Sequence, residues 1–115
     1  MEHKANLTWD EANFLLNNGK GNSGAQRLYY SAFQAVHGFA QKKGLWTPGH
    51  KKGKHEVAKA IVKEHLRDCS VAYNMLFGLR VKADYTPEEV RVDEVTTHLI
   101  ARAKSVREYF CNQGK

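Results

Sequence analysis

Between Arg27 and Ala40 the apolar residues occupy two adjoining helical faces. Leu28, Ala32, Ala35 and Phe39 share one face, and Tyr29, Phe33, Val36 and Ala40 share the next. An apolar arc that wide exceeds what a helix resting on a surface needs, so the segment predicts a central helix packed on more than one side. That helix spans about residues 25–43, and Lys42 and Lys43 at its end suit the negative pole of the helix dipole. Upstream, Thr8-Trp9-Asp10-Glu11 reads as a capping box opening a helix over about 9–17, with Trp9, Ala12, Leu15 and Leu16 turned inward. The stretch 17–24, rich in Asn and Gly, predicts a connection. Its glycines lack both the preceding strand and the closing Gly-Lys-Ser/Thr of a phosphate-binding loop.

Gly44 to Gly53 reads as a loop, with Trp46 plugging the core beneath it. A helix over about 55–66 aligns Val57, Ala58, Ile61, Val62 and His65, and one over about 71–83 aligns Ala72, Met75, Leu76, Leu79 and Ala83. Tyr85 to Glu89 breaks the pattern, with Pro87 at the first position of a capped turn. The last helix, about 92–111, carries Val92, Val95, Leu99, Ala103, Val106 and Phe110 as its stripe. No segment alternates in polarity as a half-buried strand would. The expectation is an all-α, antiparallel bundle of four to five helices, forming a single domain over 1–115 with an ordered core of about 9–110.

Composition narrows this reading without changing it. A chain of 115 residues with 42% hydrophobic positions suits one globular domain. It has no apolar run near the roughly 20 residues of a membrane helix, and no apolar segment of a secretory signal at its start. Cys69 and Cys111 have no metal-type spacing, so reduced thiols and a cytoplasmic location are expected. Charge is more informative. Between Lys42 and Arg67 there are eight basic residues against Glu56 and Glu64, which accounts for the whole net charge of +6. Such a cluster suits a polyanion footprint and equally a solvated, lysine-rich loop.

Candidate chemistry is sparse. The six histidines form no metal-ligand pattern, and neither serine nor cysteine has a visible base, so no metal and no cofactor are expected. His50 and His55 frame the lysine cluster. Arg80 and Asp84 are four apart and predict an ion pair on one helical face, worth less than about 1 kcal/mol if exposed. An arginine beside a tyrosine hydroxyl can also hold phosphate, because guanidinium offers planar, forked donors. Spacing alone leaves both roles open. Arg91 and His98 also lie within Arg-x6-His spacing, but with four, five or six intervening residues allowed, six arginines and six histidines supply such a match by chance in roughly half of such sequences.

Arg27-x-Tyr29-Tyr30-x-x-Phe33-x-Ala35, the His55 segment and Arg80-x-x-Ala83-Asp84-Tyr85 together resemble a HEPN domain of the small, stand-alone prokaryotic kind, over about Trp9 to Phe110. The resemblance implies a helical bundle, often a homodimer, paired with a minimal nucleotidyltransferase in toxin–antitoxin or defence systems. Many members are metal-independent RNases, in which an arginine binds the scissile phosphate and a histidine, after four to six intervening residues, moves the proton. Arg80 matches the arginine, but Tyr85 stands where the histidine would be. A tyrosine of ordinary pKa near 10 is a poor general base. The resemblance therefore implies RNA or nucleotide binding ahead of cleavage. Arg80, Asp84 and Tyr85 would form the site floor, Tyr30 and His55 its walls, and Lys51, Lys52 and Lys54 would draw in the polyanion. An RNase toxin using Arg80 with a histidine supplied from elsewhere, and a non-catalytic dimerisation module, are the alternatives.

Overall fold

The computed structural model describes residues 2–113 and holds five α-helices: α1 (Glu2–Asn17), α2 (Gly21–Lys42), α3 (Lys54–His65), α4 (Arg67–Tyr85) and α5 (Thr97–Asn112), with a short 3-10 turn at Val92–Glu94. No strand occurs among the described residues. The all-α expectation holds, and α2 is the central element, packed against each of the other four helices. Both apolar faces read from its sequence are used. Leu28, Tyr29, Ala32 and Val36 are fully buried, and Phe33, Ala35, Phe39 and Ala40 nearly so.

Several boundaries differ from the sequence expectation, each for a local reason. Thr8 is not an N-cap: α1 begins at Glu2, because nothing between Glu2 and Leu7 interrupts a helix, and Thr8 lies buried inside it. The connection expected at 17–24 shrinks to Asn18–Lys20, with Gly19 at φ +74° making the turn. Gly21 and Gly24 instead form the first turn of α2, where they admit neighbours too close for a side chain. A Cβ on Gly24 would lie 2.5 Å from the Leu16 side chain. The short turn folds α1 back along α2.

Helix α4 starts at Arg67 rather than near residue 71, with only Leu66 between it and α3. Its apolar residues encircle it, and the inward choice falls on Cys69, Ala72, Tyr73 and Leu76. Met75, expected inside, is 54% exposed, and Tyr73 is buried against Tyr29 in its place. His65, expected on the buried side of α3, is exposed and shares a hydrogen bond with the Tyr109 hydroxyl. The last helix begins at Thr97, not Val92: Thr96 Oγ1 accepts from the Leu99 N–H at 3.2 Å and caps it. Val92 stays at the surface, while Val90 and Val95 of the connection are buried. Lys82 ties this connection to α4, 2.9 Å from Glu94 and 3.9 Å from Glu88. Trp46 is half-buried over the core, edge-on to His37 at 4.9 Å, and its Nε1 donates to the Lys52 carbonyl. Cys69 is buried and Cys111 half-buried, and no disulfide joins them. No helix among the described residues is long and apolar enough to cross a membrane.

Candidate functional site

Helices α2 and α4 run antiparallel, and a two-rung ladder joins them. Gln26 and Tyr30, one turn apart on α2, face Asp84 and Arg80, one turn apart on α4. Arg80 Nη2 donates to the Tyr30 hydroxyl at 2.9 Å, and Gln26 Nε2 donates to Asp84 Oδ1. Between the rungs, Arg80 Nε lies 3.0 Å from Asp84 Oδ2, a close ion pair without the alignment of a good hydrogen bond. The pair is not the exposed one that spacing suggested: its side chains are 12% and 24% exposed. The guanidinium is flanked by the rings of Tyr30 at 5.5 Å, Tyr85 at 5.6 Å and Phe77 at 5.8 Å. Burial works against its charge, but the Tyr30 hydroxyl and the Asp84 carboxylate outweigh it and push the Arg80 pKa up. Arg80 is a fixed cation.

The adjacent tyrosines of α2 serve different neighbours. Tyr30 turns to α4, whereas the Tyr29 hydroxyl reaches α3 and lies 2.6 Å from His55 Nδ1. Burial pushes the Tyr29 pKa up to about 12, so this hydroxyl keeps its proton, and the donor in the pair is set by the imidazole tautomer. The imidazole itself stacks on Phe33 at 4.3 Å and meets Tyr30 and Phe77 edge-on. Its pKa is lowered to about 4 by burial first, then by the charges of Arg80, Lys54, His37 and Lys59. Tyr73 lies fully buried beside Tyr29, and burial holds its pKa well above the ordinary value.

This makes a pH dependence predictable. The folded protein refuses a proton at His55 that the unfolded chain accepts, so stability is full above about pH 6.5 and declines as pH falls toward about 4. Discounted for partial exposure, the loss is about 2 kcal/mol. His37, whose pKa is also lowered by burial and by Lys54, adds a change of the same sign. Urea denaturation at a series of pH values measures the slope, and His55→Gln is expected to flatten it. An unchanged slope in that variant would show that His55 is not the group responsible.

The structure brings Tyr30, Arg80, Asp84, Tyr85 and His55 to one region, with Lys54 at its margin, its Nζ 5.9 Å from the Phe33 ring. Tyr85 is 71% exposed at the rim. Lys51 and Lys52 remain exposed in the loop between α2 and α3, and no contact among the described residues joins them to Arg80. Nor does any contact among them join Arg91, paired with Asp93 and Glu94, to the exposed His98. Sequence reading missed Gln26, Tyr29, Phe77 and Lys59, whose Nζ stands 3.6 Å above the Phe77 ring. One signal was available: Gln26 and Tyr30 share the i, i+4 spacing of Arg80 and Asp84, as two facing helices need to form two rungs. Among the described residues no group of three or more His, Cys, Asp or Glu is placed to hold a metal.

A family model for the HEPN domain matches residues 3–113. No curated protein and no solved structure matches the chain.

Proposed function

The chain belongs to the HEPN domain family, which carries an RNA- or nucleotide-related role, and we propose that it binds a phosphate group of RNA or of a nucleotide at Arg80. The observation that supports this reading is the placement of Arg80 itself. A guanidinium kept charged and nearly buried, with Tyr30 and His55 beside it and Lys54 and Lys59 close by, is what phosphate recognition requires. Asp84 and Gln26 orient the guanidinium, and Lys51 and Lys52 add to the approach field at longer range. A partner nucleotidyltransferase, a toxin–antitoxin or defence setting and a homodimer complete the proposal, on the strength of the family resemblance. A small nucleotidyltransferase encoded beside this gene would support the pairing, and sedimentation of the purified protein reads the copy number.

Binding to a mixed RNA pool tests the site. Arg80→Ala is expected to weaken binding about 10- to 100-fold, the loss of one or two charge-assisted hydrogen bonds. Wild-type affinity should fall steeply as salt rises. Equal binding by the variant would sink the reading. A second reading, RNA cleavage, is favoured by one observation: His55 reaches the Arg80 region from α3, so a histidine is present in space although Tyr85 replaces it in sequence. Cleavage by wild type that both Arg80→Ala and His55→Gln abolish would select that reading over simple binding.

A further inference from the structure

The imidazole of His55 lies on the buried Phe33 ring and edge-on to the half-buried Phe77 ring, and positive groups from two helices surround it. Lys54 and Lys59 of α3 bracket His55 and reach over Phe33 and Phe77 respectively, and Arg80 of α4 shares the Phe77 ring with Lys59. The carboxylate that reaches this group, Asp84, is already paired with Arg80. Neither Lys54 nor Lys59 is ion-paired among the described residues. With Arg80 balanced by Asp84, the two lysines leave a local excess of about two positive charges, each set over an aromatic ring.

The donors are equally specific in number. The Tyr30 oxygen accepts from Arg80, so its own proton remains available. His55 Nδ1 is engaged by Tyr29, which leaves Nε2 as the ring nitrogen not taken by that bond. Two lysines, a tyrosine hydroxyl and an imidazole nitrogen therefore stand around one patch beside Arg80. An internal phosphodiester brings one negative charge and two free oxygens. A phosphomonoester above its second pKa, near 6, brings nearly two charges and three free oxygens.

From this match we infer that the Arg80–Lys59 patch takes a terminal phosphomonoester, the phosphorylated end of an RNA strand or a nucleoside monophosphate, in preference to an internal phosphodiester. The inference rests on the phosphate-binding reading above and narrows its ligand.

The test compares one short oligoribonucleotide carrying a 5′-phosphate, a 3′-phosphate or hydroxyls at both ends, by fluorescence anisotropy at pH 7.5, with AMP and adenosine as competitors. A phosphorylated end should bind about 10- to 100-fold tighter than the hydroxyl-ended strand. Lys59→Gln and Lys54→Gln, surface changes that leave the helix intact, should each erase most of that advantage. Displacement by AMP but not adenosine would assign the mononucleotide as a sufficient ligand. A preference for the strand end that AMP does not displace would assign the RNA terminus. Equal binding of all three strands, with Arg80→Ala still weakening them, would overturn the inference and leave the phosphate-binding reading intact. An end preference that survives both lysine variants would also overturn it. Binding indifferent to Arg80→Ala would overturn both.

Discussion

Replacing Tyr29 by alanine is expected to lower the unfolding free energy by about 4 kcal/mol, within the range measured for large aromatic truncations in cores. Tyr29 is fully buried, and its ring contacts Tyr30, Phe33, Tyr73, Phe77 and His55 at centroid distances from 5.4 to 5.8 Å. Its removal would open a void where α2, α3 and α4 meet. A domain of this size is stable by only about 5–15 kcal/mol, so the loss is a large share of the whole. Tyr29→Phe separates packing from hydrogen bonding. It keeps the ring and removes the hydroxyl bonded to His55 Nδ1, which should lower stability by about 1–2 kcal/mol. It should also free the imidazole tautomer, visible as a shift in the His55 nitrogen resonances. Denaturation midpoints give the stabilities, and a Tyr29→Ala protein within about 1 kcal/mol of wild type would contradict this packing.

Gly21→Ala carries the second large effect, and its sign is the informative part. In an open helix, glycine to alanine stabilises by about 1 kcal/mol. At Gly21 a Cβ would lie 1.9 Å from the Val90 carbonyl oxygen, 2.9 Å from the Val90 carbonyl carbon and 3.1 Å from that of Arg91. These are backbone atoms, which cannot swing aside as the end of a side chain can. The connection between α4 and α5 must move outward, unseating buried Val90 and breaking the 2.5 Å hydrogen bond from its N–H to Asn22 Oδ1. The expected net change is a loss of about 2–3 kcal/mol, lowering Tm by about 10 °C or more. Gly78→Ala on α4, where nothing lies within 4 Å of the added carbon, should instead raise stability slightly. Both variants moving Tm in the same direction would refute the close approach at Gly21.

The elements that were legible in sequence share one property: their signal is local. The width of the apolar arc on α2 announced a helix buried on several sides, and each face found a partner helix. The misread positions are those where the deciding neighbour is distant along the chain. Gly21 and Gly24 look like breakers until Val90 and Leu16 are seen pressing on them. Met75 and Tyr73 could each face inward on a helix apolar all round, and Tyr29 settles the choice. Thr8 carries a capping signature, but nothing upstream of it stops the helix.

The candidate site divides in the same way. Residue identity and spacing determined that Arg80 and Asp84 would pair and that the positive charge gathers between Lys42 and Arg67. Only the tertiary structure decided that Arg80 lies largely out of solvent with Asp84 at the rim, that Tyr30 takes Arg80 while Tyr29 takes His55, and that Lys54 and Lys59 reach the Phe33 and Phe77 rings whereas Lys51 and Lys52 stay in the loop. The physical reason is range. A helix-spaced pair or an apolar stripe is set by a few consecutive residues, whereas burial, desolvation and the partner of a hydroxyl depend on which face of another helix arrives from 26 or 50 residues away.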